Sequence, residues 1–159
     1  VIEGLKKRAC GMHAWLALAF RIYIGGLFIY ASIYKINYPA EFAETIASYQ
    51  LVPYFLVNVL AVILPWMELI AGTLLLAGIR PRAATAVLGG LLVLFTLAIG
   101  WVLLHGVPIG CGCFHTIEDP VSWKTLVRDL VWLAMTGYVY AFDRLFHLEE
   151  HFMMKLREL

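Results

Sequence analysis

Apolar residues in this chain gather into long unbroken runs rather than into narrow stripes. Four runs, over residues 14–34, 53–79, 83–104 and 122–142, reach the roughly 20 residues that a helix needs to cross a hydrocarbon layer. Strand-like alternation is absent from them, and Leu, Ala, Val, Ile and Gly dominate. A polypeptide in lipid must satisfy its backbone internally, as helices or as a closed barrel. The pattern therefore predicts an all-α membrane protein, a four-transmembrane-helix bundle built as one domain over residues 1–159. Turn residues separate the runs: Asn37, Tyr38 and Pro39, then Gly78 to Arg82, then Gly106 to Pro120. Pro53 suits the first turn of the second helix, whereas Pro65 falls inside it and predicts a kink.

Two shorter segments are amphipathic. In residues 144–159, Leu145, Phe146, Leu148, Phe152, Met153 and Leu156 alternate with charged residues at near-helical spacing. This predicts an interfacial C-terminal helix on the cytoplasmic surface, with a plain continuation of the fourth helix or docking on another protein as alternatives. Residues 39–51 place Phe42, Ile46 and Tyr49 on one face, at the outer side.

Composition supports lipid as the solvent, since 62% of residues are hydrophobic and 14% charged, against about half and a quarter in soluble domains. A net charge of +1 excludes a nucleic-acid partner and leaves membrane lipid as the surrounding partner. The first run is too long for a cleaved signal and contains Arg21, so a retained helix is expected. Charge also orients the chain. Lys6, Lys7, Arg8, Arg80, Arg82, Arg144, Lys155 and Arg157 share one side, while Lys35 and Lys124 stand beside Glu41, Glu44, Glu118 and Asp119 on the other. Positive flanks stay inside, which predicts a multi-pass protein of the cytoplasmic (inner) membrane with both termini cytoplasmic.

That orientation puts Gly110, Cys111, Gly112, Cys113, Phe114 and His115 outside. Three chemistries fit these residues. Cys111 and Cys113 can cycle between dithiol and disulfide as catalytic residues: Gly112 permits the bend, ring strain eases reduction, and the outer side permits oxidation. Alternatively Cys111, Cys113 and His115, with His105 as a possible fourth donor, form a soft-metal site for copper or zinc. In the third, the cysteines form a fixed local disulfide or stay reduced and inert. Cys10 stands apart on the cytoplasmic side as a free thiol, with palmitoylation as an alternative.

Ionisable residues inside the runs make a second constellation: Arg21, Glu68, Arg128 and Asp129. Each costs about 2.5–3.5 kcal/mol to insert, so they are expected to face the interior and pair, with Glu68 within reach of either arginine. Arg21, Glu68 and Arg128 then form either a proton relay or cofactor site for a quinone or an anionic ligand, or an ion-pair network that fixes helix packing. Asp129 is expected to cap a neighbouring helix or pair with Lys35 or Lys124. Trp66, Trp101 and Trp132 either line a flat cofactor's pocket or pack against the core and lipid.

The chain resembles the MauE/DoxX family of redox-associated membrane proteins, in particular its MauE-like branch. The resemblance rests on Arg21 with Gly25 and Gly26, Lys35, Phe42 to Pro53, then Pro65, Trp66, Glu68 and Gly72, then Cys111, Gly112, Cys113 and Phe114, then Arg128 and Asp129. His115 stands where the family pattern commonly has Gly. The resemblance implies maturation or thiol-disulfide handling of an extracytoplasmic protein partner with cysteines. Two other functions remain open: a non-catalytic membrane anchor or assembly subunit of a larger membrane complex, and soft-metal handling by the Cys/His loop.

Overall fold

A computed structural model describes residues 2–105 and 122–143, with side chains from residue 12 onward. Among the described residues the chain forms five helices: α1 (Ile2–Asn37), α2 (Pro39–Ser48), α3 (Tyr54–Ala77), α4 (Pro81–His105) and α5 (Trp123–Phe142). Strands are absent among these residues. Three stretches are long and apolar enough to cross a bilayer, Met12–Asn37, Tyr54–Ala77 and Pro81–His105. The expected fourth, α5, has the length but carries Lys124, Arg128 and Asp129 in its first two turns, which lowers its apolarity. The amphipathic segment 144–159 and the loop carrying Cys111, Cys113 and His115 lie outside the described residues.

The breaks between helices follow from local chemistry. α1 ends at Asn37, and Pro39 opens α2 after a non-helical Tyr38, because the residue before a proline is pushed out of the helical region. α3 runs unbroken through the buried Pro65 and closes on Gly78 in the left-handed conformation. The Gly78 N–H donates to Leu75 and the Ile79 N–H to Leu74, which satisfies the last carbonyls of α3. Pro81 then starts α4, where its missing N–H costs nothing.

Packing is close where side chains are small. A β-carbon on Gly72 would come within 3.1 Å of the Gly25 carbonyl oxygen and of Ile29 Cγ1, and one on Gly25 within 2.8 Å of Leu76 Cγ. These contacts bring α1 and α3 together as antiparallel neighbours. Ile24 and Phe28 of α1, Leu75 of α3, Leu88 and Leu92 of α4, and Val139 of α5 share one core. The outer faces are apolar too: Ile70 is 57% exposed, Leu94 61% and Leu97 65%. Such a surface is stable in hydrocarbon and unfavourable in water, as expected of helices with lipid around them.

Candidate functional site

The buried face of α1 is a heptad stripe of Ala17, Arg21, Ile24, Phe28, Ala31 and Lys35. Two of its six members are cations. Steps of three and four residues keep all six on one side of the helix. α3 answers with Val57, Ala61, Pro65, Glu68, Ala71 and Leu75. Register then selects the partners. From the contact of Ile29 with Gly72, one turn onward along α1 reaches Ile33 and one turn back along α3 reaches Glu68. Lys35 lies just beyond that level. Its Nζ donates to both carboxylate oxygens of Glu68, at 2.8 and 2.9 Å.

This pair is almost fully enclosed, with the Lys35 and Glu68 side chains 5% and 0% exposed. The ammonium also lies over the rings of Phe42, 5.0 Å away on α2, and Phe95, 4.9 Å away on α4. Aromatic faces are a favourable setting for a desolvated cation. Glu68 stands about 21 Å along α3 from Tyr54, in a helix about 36 Å long, so the pair sits near the middle of the span.

Beside the pair, Lys35, Glu68 and Asp129 line a common cavity of about 30 Å³, with Leu92, Phe95 and Trp132 among its walls. Room for a water molecule begins at about 10–15 Å³, and polar walls are what hold one. Asp129 is itself buried and paired with the preceding Arg128, whose Nη2 is 3.2 Å from Oδ1. The Arg128 guanidinium also lies 4.5 Å from the Trp132 ring centre. The four groups balance in charge, two cations against two carboxylates.

Arg21 is elsewhere. Its Nη1 donates to Asp143 Oδ2 at 3.0 Å, in a pair with side chains 4% and 3% exposed. Fourteen residues separate Arg21 from Lys35, about 21 Å along the helix. Antiparallel register brings Arg21 level with the end of α3, out of reach of Glu68. The expectation that Glu68 pairs with Arg21 or Arg128 is thereby corrected: Glu68 pairs with Lys35, Arg21 with Asp143, and Arg128 with Asp129. Asp129 takes neither Lys35 nor Lys124 as its direct partner, although Lys35 faces the same cavity. Trp66 and Trp101 are each 51% exposed on the outer surface, so of the three tryptophans Trp132 is the one beside the polar cavity.

Lys35 and Asp143 are the ion-pair partners that reading residues one run at a time does not assign to Glu68 and Arg21. For Lys35 a signal existed, since it continues the heptad from Arg21 at a spacing of 14 residues. Asp143 offered only its sign and its place after the last apolar residue of α5.

Cys111, Cys113 and His115 lie outside the described residues. Among the described residues, no group of three or more His, Cys, Asp or Glu is placed to hold a metal ion. His105, at the end of α4, has Nδ1 2.9 Å from the Trp101 carbonyl oxygen and its ring against Trp101.

Comparison with known proteins completes the picture. The family model described as methylamine utilisation protein MauE matches residues 13–142. The methylamine utilization protein MauE of Paracoccus denitrificans is 32% identical over 120 residues, covering 74% of this chain and 64% of the relative. Its namesake in Methylophilus methylotrophus is 33% identical over 130 residues, covering 79% and 68%. In Methylorubrum extorquens the figures are 36% over 101 residues, 62% and 54%. The match therefore spans less than two thirds of the Paracoccus relative's length. No solved structure matches the chain. The matched region contains all five described helices in whole or in large part, and both the Lys35–Glu68 and Arg128–Asp129 pairs, so this chain belongs to the MauE family of membrane proteins.

Proposed function

We infer that this protein exchanges disulfides through Cys111 and Cys113 with a cysteine-bearing protein outside the cytoplasmic membrane, and so serves the maturation of a redox partner. The observation that carries the reading is the Cys-Gly-Cys sequence in the connection between His105 and Ser122. That connection leaves α4 at the end of the bundle opposite the α3–α4 turn with Arg80 and Arg82. With basic segments held inside, α5 acts as a fourth span, both termini lie in the cytoplasm, and residues 144–159 rest on the inner surface. In the exchange, a thiolate of the partner attacks the Cys111–Cys113 disulfide, a mixed disulfide forms, and the partner's second thiolate resolves it. The partner leaves as a disulfide with Cys111 and Cys113 as thiols, and the reverse sequence reduces the partner. The relatives' names place them in methylamine utilisation, and the same setting is our proposal for this chain.

Thiol trapping in native membranes followed by mass spectrometry tests the reading. We expect Cys111 and Cys113 to convert between trapped thiols and a disulfide as the outside redox buffer is changed, and Cys111→Ser to accumulate a mixed disulfide with its partner. A pair locked in one state, or full partner maturation by the Cys111→Ser, Cys113→Ser variant, overturns it. Copper or zinc retained through purification and lost on His115→Ala would instead assign the loop to metal handling.

A second reading has its own observation. The Arg21–Asp143, Lys35–Glu68 and Arg128–Asp129 pairs each neutralise a charge within the chain, as in a subunit that anchors or assembles a larger membrane complex. A stoichiometric complex that survives loss of both cysteines would support this reading over exchange.

A further inference from the structure

On the face of Lys35 away from the small polar cavity lies a second, larger space. It measures about 260 Å³ and is walled by Phe42 and Ile46 of α2, Tyr49 just beyond it, Leu60 and Leu64 of α3, and Phe95 of α4, with Lys35 as its charged floor. The α2 face that its sequence marks as amphipathic thus turns inward onto this groove. Leu51 and Leu94 border it and are 46% and 61% exposed, so its mouth opens where the surface is apolar.

We propose that this groove binds a neutral, membrane-dissolved ring ketone with an apolar tail, an isoprenoid quinone in chemical class, whose carbonyl oxygen accepts a hydrogen bond from Lys35 Nζ. Four observations lead there. First, an ammonium carries three N–H donors. Among the described residues two go to Glu68, and the ammonium otherwise meets the Phe42 and Phe95 rings, both walls of the groove. Second, the site is already balanced in charge. A carboxylate or phosphate would add a third anion beside Glu68 and Asp129 in a low-dielectric interior, whereas a neutral acceptor adds none. Third, three aromatic residues, Phe42, Tyr49 and Phe95, line a compact chamber, a wall suited to a flat ring by offset or edge contacts. Fourth, depth discriminates among lipids. The floor lies near the middle of α3, about 21 Å from its start, whereas glycerol ester carbonyls stay at the edge of a hydrocarbon layer about 30 Å thick. A ring ketone on an isoprenoid tail is free to reach that depth.

The geometry also separates this site from Arg21, and leaves the thiol chemistry of Cys111 and Cys113 outside its requirements. Binding is expected whether or not those cysteines exchange disulfides.

The test uses the full chain in phospholipid nanodiscs with a decyl-tailed benzoquinone as probe and tryptophan quenching as readout. Saturable binding at one site per chain is expected. Ala98→Phe fills the groove from α4 without touching the ion pair, and should abolish saturable quenching while the helical circular dichroism and melting temperature stay near the parent's. Ala83→Phe, which lines a separate cleft between α3 and α4, should bind like the parent. Replacing the pair together, Lys35→Met with Glu68→Leu, removes the donor while keeping charge balance, and should raise Kd about tenfold or more, the effect of losing one charge-assisted hydrogen bond. The Cys111→Ser, Cys113→Ser variant should bind as the parent does. Quenching that never saturates, or that Ala98→Phe leaves unchanged, means that lipid acyl chains or other residues of this chain occupy the groove, and overturns the proposal.

Discussion

Two buried ion pairs hang from one face of α1, about 21 Å apart by helical rise, and they are not equivalent. Arg21 joins Asp143, the residue that follows the last turn of α5. It ties the end of one helix to the side of another. Lys35 joins Glu68 within α3, between two aromatic rings and two cavities. The same chemistry thus serves as a latch at one level and as the wall of a site at the other. What distinguishes them is the space around the charge. An ion pair in hydrocarbon must be enclosed by protein to be tolerated, but a pair that borders a cavity keeps a donor or acceptor available for something else.

Mutations that break this comparison should differ in size. The largest effect is expected from Glu68→Leu, which strands the Lys35 charge near mid-span. Removing one partner of a buried pair costs about 3–5 kcal/mol, and reversible unfolding in mixed micelles should show it. Adding Lys35→Met to that variant should restore most of the loss, because an apolar pair of similar volume needs no compensation. If the double variant is as unstable as the single one, the pair does more than neutralise itself.

Asp143→Asn should cost less, about 1.5–3 kcal/mol, since the amide oxygen still accepts from Arg21 while the charge is gone. Its signature is local. Hydrogen exchange should rise in the last turns of α5 and leave the centre of α3 protected. Uniform loss of protection across the bundle would remove the distinction between latch and site.

Gly72→Ala acts between the two pairs. Its β-carbon would press on the Gly25 carbonyl at 3.1 Å, forcing α1 and α3 apart at a cost of about 1–3 kcal/mol. Because the close approach delivers Lys35 to Glu68, this variant should also weaken quinone binding in the nanodisc assay, and Gly90→Ala, which meets nothing within 4 Å, should not. Equal effects of the two substitutions would show that the approach of α1 and α3 is not what aligns the pair.

The all-helical character was legible along the chain because lipid leaves few alternatives. Runs as long as 53–79 and 83–104 satisfy their backbones only as helices, and Gly78 followed by Pro81 marks a stop and a start in plain sequence terms. α5 was harder. Its length reads as a span, yet Lys124, Arg128 and Asp129 dilute its apolarity, and hydropathy alone weighs those charges without knowing that Asp129 is turned inward. The polar site was half legible. That Arg21, Glu68 and Asp129 had to be buried and paired followed from the cost of charge in hydrocarbon. Which partner each received did not.

Pairing depends on register, and register is a property of two helices together. The approach of Gly25 to Gly72 sets α1 against α3, and from that single offset Lys35 meets Glu68 while Arg21 passes beyond it to Asp143. Lys35 shows the limit most plainly. Near the end of an apolar run it reads as an interfacial flank, but α3 continues well beyond Asn37 and α2 covers the difference, so the lysine ends inside the bundle. The sequence by itself determined the solvent, the helices and the need for ion pairs, because these follow from transfer free energies residue by residue. Only the tertiary structure decided the partners and the cavities on either side of Lys35, because these depend on how closely two helices approach and at what offset.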